Sequence, residues 1–224
     1  MERKWSKFII PCVCALAVLA AGIIFNHLRV PDYRDDGILR VCLDAGHGAD
    51  DPGAVSPDGT RLEKDDCLAM ILAVRDRLVA SYPEIEIALT RSDDTFIELD
   101  DRCDIANKAR ADLFVSVHRN SAPGSASGVE IWVPSGGPRA DKQLAEGILE
   151  GLINAGISED RGIRSGTSGN PSSDYYVNRH TKMPSCLIEL GFMTSDTDNQ
   201  LFDSNFDAYA RAIADGIAAA LITE

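Results

Sequence analysis

The chain is short of several things, and each shortage excludes a class of function. Positive charge is scarce: 22 Lys and Arg stand against 35 Asp and Glu, a net charge of -13. A chain of that sign repels phosphate backbones, so nucleic acid is not an expected partner. None of the six cysteines forms a C-x-x-C pair, which argues against a zinc finger. H-E-x-x-H is missing too, which removes the helical zincin arrangement. No internal repeat is visible. Only four histidines occur, so the position of each one matters.

The charge is uneven. Residues 1–30 hold Arg3, Lys4, Lys7 and Arg29 against Glu2, a balance of +3, which leaves -16 for the remainder. The basic cluster precedes "FIIPCVCALAVLAAGIIF", Phe8 to Phe25, 18 residues without a charge. Roughly 17–25 apolar residues cross a bilayer as a helix. The flanking charge places the N-terminus in the cytoplasm and the rest outside. A membrane anchor is expected over 1–30, with cleavage after the small residues Ala17, Ala20 and Ala21 as the alternative. Either reading exports the domain. A linker follows at 31–37, and one catalytic domain at 38–224. Cys42 and Cys186 lie in apolar runs and read as small core residues.

From Ile38 the pattern alternates between strand and helix. Strands are expected at Ile38–Ala45, Glu84–Thr90, Asp112–His118, Gly128–Pro134 and Ser185–Phe192. Helices are expected at Cys67–Tyr82, Leu99–Ala111, Ala140–Gly156 and Phe206–Ile222. Arg164–Asp174 reads as a Gly/Ser-rich loop. This order predicts an α/β fold: a three-layer, mostly parallel twisted sheet with helices on both faces.

Ligands in open α/β sheets collect beyond the carboxyl ends of strands. His47 follows the first strand, between Gly46 and Gly48, and His118 ends another. Glu189 lies late in an apolar strand, where a carboxylate is costly unless paired or protonated. Glu130 poses a milder form of that problem, which exposure to solvent would resolve. His27, beside the apolar segment, and His180, in a polar loop, are expected to bind no metal. Glu63 alone would be read as a carboxylate favoured by a helix start. Two histidines and a carboxylate make up a catalytic zinc shell that leaves one position for water. A second carboxylate can then take a proton. The residues by themselves indicate an exported metal-dependent hydrolase.

The segments "LDAGHGADDPGAV…GTRLEKDDCLAM", "LTRSDDTFIELDDRCDIANKARADLFVSVHRN", "GVEIWV" and "MPSCLIELGFMTSDTDNQLF" resemble, in order and spacing, the zinc-dependent N-acetylmuramoyl-L-alanine amidases of bacteria. The resemblance spans about residues 38–222. Departures are few: D-A-G-H-G for D-P-G-H-G, "SVHRNS" for S-x-H-x-N-A, and Ser195 where asparagine is usual. The resemblance implies Zn2+ held by His47, Glu63 and His118, with Glu189 as the catalytic carboxylate. It implies hydrolysis of the amide between N-acetylmuramic acid and L-alanine in peptidoglycan. The glycines beside His47 would then clear the approach of the metal and the glycan.

Some relatives carry a helix that plugs the zinc site, but neither 135–139 nor 156–175 has the pattern for one. No wall-binding module is expected after the domain. A compact anchored amidase of this kind is similar to those of spore-cortex maturation. Two other functions compete: an exported zinc peptidase acting on stem peptides, and a catalytically silent wall-binding module.

Overall fold

The computed structural model describes residues 36–137, 139–170 and 172–222. The expected membrane segment, with His27, lies outside the described residues. Among those described, no helix is long and apolar enough to cross a membrane.

Six strands form one sheet: β1 (Leu39–Ala45), β2 (Ile85–Leu89), β3 (Leu113–Asn120), β4 (Val129–Val133), β5 (Asp160–Ser165) and β6 (Ser185–Phe192). Their spatial order is β2-β1-β3-β6-β4-β5. The first four in that order are parallel. Strand β4 runs antiparallel to β6, and β5 follows it in parallel. The sheet is mostly parallel, as expected, with a reversed margin.

The helices are α1 (Glu63–Ser81), α2 (Leu99–Lys108), α3 (Arg139–Ala155), α4 (Tyr176–His180), α5 (Asp196–Ser204) and α6 (Phe206–Ile222). Successive strand residues face opposite ways, and each face has its own core. Val41, Leu43, Val115, Val117, Ile131 and Ile188 pack against α1, α3 and α6. Cys42, Phe114, Trp132 and Leu187 pack against α2 and α4. All four described cysteines are buried and unbridged.

The second face explains where the site lies. Along β1 it carries Cys42 and then Asp44; along β3, Phe114, Ser116 and His118; along β6, Leu187 and Glu189. Each strand begins apolar under α2 and α4 and turns polar toward its carboxyl end. The antiparallel β4 keeps this division, because Trp132 pairs with Leu187 and Glu130 with Glu189. One sheet face is therefore half core and half polar floor.

The structure adds three elements to those expected. Strand β5 runs into the first residues of the Gly/Ser-rich loop, α4 ends at His180, a residue expected in a polar loop, and α5 precedes the last helix. Helix α1 begins at Glu63, four residues before the expected Cys67. Strand β3 runs on to Asn120 with a register shift after His118.

Candidate metal centre and active site

His47 sits just past β1 in the left-handed region, at φ 60°. A non-glycine residue held there stores strain, so its surroundings must fix it. They do so from three sides. Asp51 Oδ2 lies 2.8 Å from His47 Nδ1. Gly48 and Asp51 exchange backbone hydrogen bonds of 3.0 and 2.9 Å. Arg102 Nη2 donates to the His47 carbonyl at 2.9 Å. With Nδ1 committed to Asp51, the His47 Nε2 lone pair is left for a ligand.

Two buried arginines hold the whole turn. Arg91 donates to the carbonyls of Ala45 (3.0 Å) and Gly46 (2.7 Å). Arg102 Nη1 donates to the Ala45 carbonyl (2.6 Å) and to Asp44 Oδ1 (2.8 Å). Asp44 also accepts from Thr90 (2.7 Å) and Ser116 (2.6 Å). Burial opposes its ionisation, but Arg102 and these hydroxyls prevail and hold its carboxyl below the usual range.

Glu63 is the first residue of α1 and is buried. Its Oε2 accepts from the Ala54 N–H (2.7 Å) and its Oε1 from the Arg119 N–H (3.0 Å). The same Oε1 lies 3.0 Å from His47 Nε2 and 2.9 Å from His118 Nδ1. Burial alone would favour the neutral acid. Hydrogen bonds with His118 and His47 outweigh it and hold Glu63 far below the ordinary carboxylate range. Behind it the Arg119 side chain is fully buried, bonded to Asp66 and to Asn199 (2.7 Å), with the Phe202 ring 4.4 Å from its Cζ. That cluster fixes the backbone amide that Glu63 uses.

One donor atom each from His47, Glu63 and His118 lies within 4.8 Å of the others, a group able to hold a metal ion. Two imidazoles and a carboxylate suit zinc. Of the two glycines beside His47, Gly46 makes room for His118 and Gly48 for the Thr95 carbonyl, while Gly53 makes room for Glu63 and His47. A Cβ on Gly46 would lie 2.3 Å from His118 Cε1, and one on Gly53 2.6 Å from both Glu63 Oε2 and His47 Cδ2.

Glu189 faces the centre from β6, in register with His118. It is 8 % exposed, and its buried Oε2 has no hydrogen-bond partner among the described residues. Burial pushes its carboxyl up to about 7; His118 opposes this, while Glu63 and Glu130 add to it. A cleft of about 330 Å³ opens above, walled by Phe96–Leu99 on one side and Tyr175–Val177 on the other. His180 stays outside the cluster, stacked on Tyr176 at 4.1 Å. Glu130 is not exposed as a solvent-facing strand position would be. It is 3 % exposed and paired with Arg161 (3.0 Å) and Arg164 (3.2 Å). Ser195 caps α5 by accepting from the Asp198 N–H at 3.2 Å. Serine caps about as well as asparagine, so that departure costs the helix little.

Comparison with known proteins agrees with the geometry. A sporulation-specific N-acetylmuramoyl-L-alanine amidase of Bacillus subtilis (strain 168) is 33% identical over 182 residues, 80% of this chain and 67% of that protein. The catalytic domain of CwlV, an N-acetylmuramoyl-L-alanine amidase from Bacillus (Paenibacillus) polymyxa, superposes with a TM-score of 0.73 at 36% identity, covering 83% of this chain and 99% of that one. The CwlD amidase from Clostridioides difficile, solved in complex with the GerS lipoprotein, gives 0.74 at 29% identity, covering 83% and 100%. Residues 41–222 match the family model described as N-acetylmuramoyl-L-alanine amidase, and the chain belongs to that family.

Proposed function

We propose that the chain hydrolyses the amide between the lactyl group of N-acetylmuramic acid and the L-alanine of the stem peptide, using Zn2+ held by His47, Glu63 and His118. The observation that carries this reading is the pairing of that donor set with Glu189, whose buried Oε2 has no hydrogen-bond partner among the described residues. Bound there, zinc supplies Lewis-acid chemistry, polarising the amide carbonyl and acidifying a water molecule. The rest belongs to the chain. Glu189 accepts the proton of the attacking water and returns it to the leaving alanine amine. Asp51 fixes the ring and tautomer of His47, and Arg91 and Arg102 hold the turn that presents it. The cleft walls orient the substrate over Glu189.

The apolar N-terminal stretch would anchor this domain outside the cytoplasmic membrane. The sporulation-specific relative supports work on the spore cortex, and the CwlD–GerS complex supports a lipoprotein as partner. Digestion of purified peptidoglycan tests the reaction. The expected product is stem peptide with a new alanine N-terminus and an intact glycan. Cuts within peptides would instead mean a peptidase, and no release at all a binding module.

A further inference from the structure

Glu189 and Glu130 stand on adjacent strands of the polar floor, and Arg164 stands on the next strand, level with Trp132. Glu189 pairs with Glu130, and Trp132, two residues along the same face of β4, pairs with Arg164 on β5. Both oxygens of buried Glu130 are occupied. Asn120 (3.0 Å) and Trp132 Nε1 (3.2 Å) donate to Oε1, and Arg161 Nε (3.0 Å) donates to Oε2. One arginine is enough to balance this carboxylate, yet Arg164 Nε lies 3.2 Å from the same Oε2. Arg164 reaches Glu130 through its Nε, and its side chain is 44% exposed, so part of the guanidinium faces solvent. Arg164 lies behind the cleft wall: its Cζ is 5.9 Å from the Trp132 ring, which packs edge-on at 5.5 Å against Tyr175, a residue of that wall.

We infer that Arg164, backed by Arg161, forms a carboxylate-binding subsite on the peptide side of the scissile amide. It would select stem peptides with a free carboxylate on the residue after L-alanine. The inference rests on the amidase reading. Neighbouring strands lie about 4.8 Å apart, so β5 is roughly 10 Å from β6. Extended peptide advances at most about 3.6 Å per residue. The second residue's carboxylate therefore leaves Glu189 in range of an arginine two strands away. A guanidinium is suited to this task by its planar, forked donors.

The test uses the zinc-loaded full chain and two soluble muramoyl-tripeptides, one with D-isoglutamate and one with D-isoglutamine after L-alanine, the third residue closing the γ-carboxyl in both. The carboxylate substrate should be favoured about tenfold in kcat/KM, the order of one charge-assisted hydrogen bond. Arg164→Gln should abolish the preference and leave the carboxamide rate within about twofold of wild type, and Arg164→Lys should restore part of it. The preference should shrink at high salt. Equal rates for the two substrates overturn the subsite while leaving the amidase reading intact. An equal loss on both in Arg164→Gln also overturns it, since that marks a structural role. No turnover of either by wild type overturns the amidase reading and this inference with it.

Discussion

Gly46→Ala adds a single methyl group, and the structure says what that methyl meets. Gly46 is outside the left-handed region, so alanine brings no backbone strain. Its Cβ would stand 2.3 Å from His118 Cε1 and 2.6 Å from both ring nitrogens, whereas ordinary contact begins near 3.4 Å. The imidazole must retreat by about 1 Å. His118 belongs to the central strand β3, paired on both sides. The ring therefore turns away while the backbone stays, and Nδ1 leaves the donor cluster. Losses in groups that support a metal ligand cost 10- to 100-fold in affinity, and a displacement of this size costs about 100-fold in activity. Zinc affinity would be measured by competition with a chromophoric chelator, and kcat/KM by release of stem peptide. Gly169→Ala is the control, because a methyl there meets nothing within 4 Å and no left-handed φ stands in its way. If Gly46→Ala binds zinc and turns over like wild type, the argument that the glycines make room for the donor set is refuted.

Removal of metal with a strong chelator should abolish peptide release, and stoichiometric zinc should restore it; full activity of metal-free protein would remove the donor set from the mechanism. Arg102→Met strands Asp44 as a buried unpaired carboxylate, so urea unfolding should show a loss of about 3–5 kcal/mol. Asp44 itself has a depressed folded pKa. Its stabilising contribution is therefore complete above its unfolded value near 3.9 and is lost as pH falls through the folded value. Asp44→Asn should flatten stability in that acid window, and an unchanged acid profile would contradict the assignment.

The sequence was legible where pattern and burial agree. β1, β6 and α6 are apolar with clear limits, and they stand within a residue of where periodicity places them. His47 and His118 were legible because a histidine closing an apolar strand is conspicuous. Glu189 was legible because a carboxylate inside one is costly. β5 was not: "DRGIRS" has one large apolar residue and no alternation, and it holds its place at the sheet edge by pairing with β4. α5 reads as a polar loop because only Leu201 and Phe202 in it are large and apolar, and Ser195 supplies its cap. The buried arginines gave no local signal. Arg91, Arg102 and Arg119 are charged residues whose partners, such as Asp44 and Asp66, are distant in sequence. Glu130 looked like a solvent-facing strand residue for the same reason: Arg161 and Arg164 are about thirty residues away.

The central claim is that two carboxylates in one site divide the work, Glu63 holding the metal and Glu189 moving the proton. Metal content and peptide release measured side by side on Glu189→Gln and Glu63→Ala test it most directly. Glutamine at 189 keeps the size of the side chain but cannot accept the proton. That variant should keep its zinc and lose turnover by roughly 10²–10⁴-fold, while Glu63→Ala should lose both. If Glu189→Gln loses zinc while Glu63→Ala keeps it, or if Glu189→Gln turns over at the wild-type rate, the division of roles is contradicted.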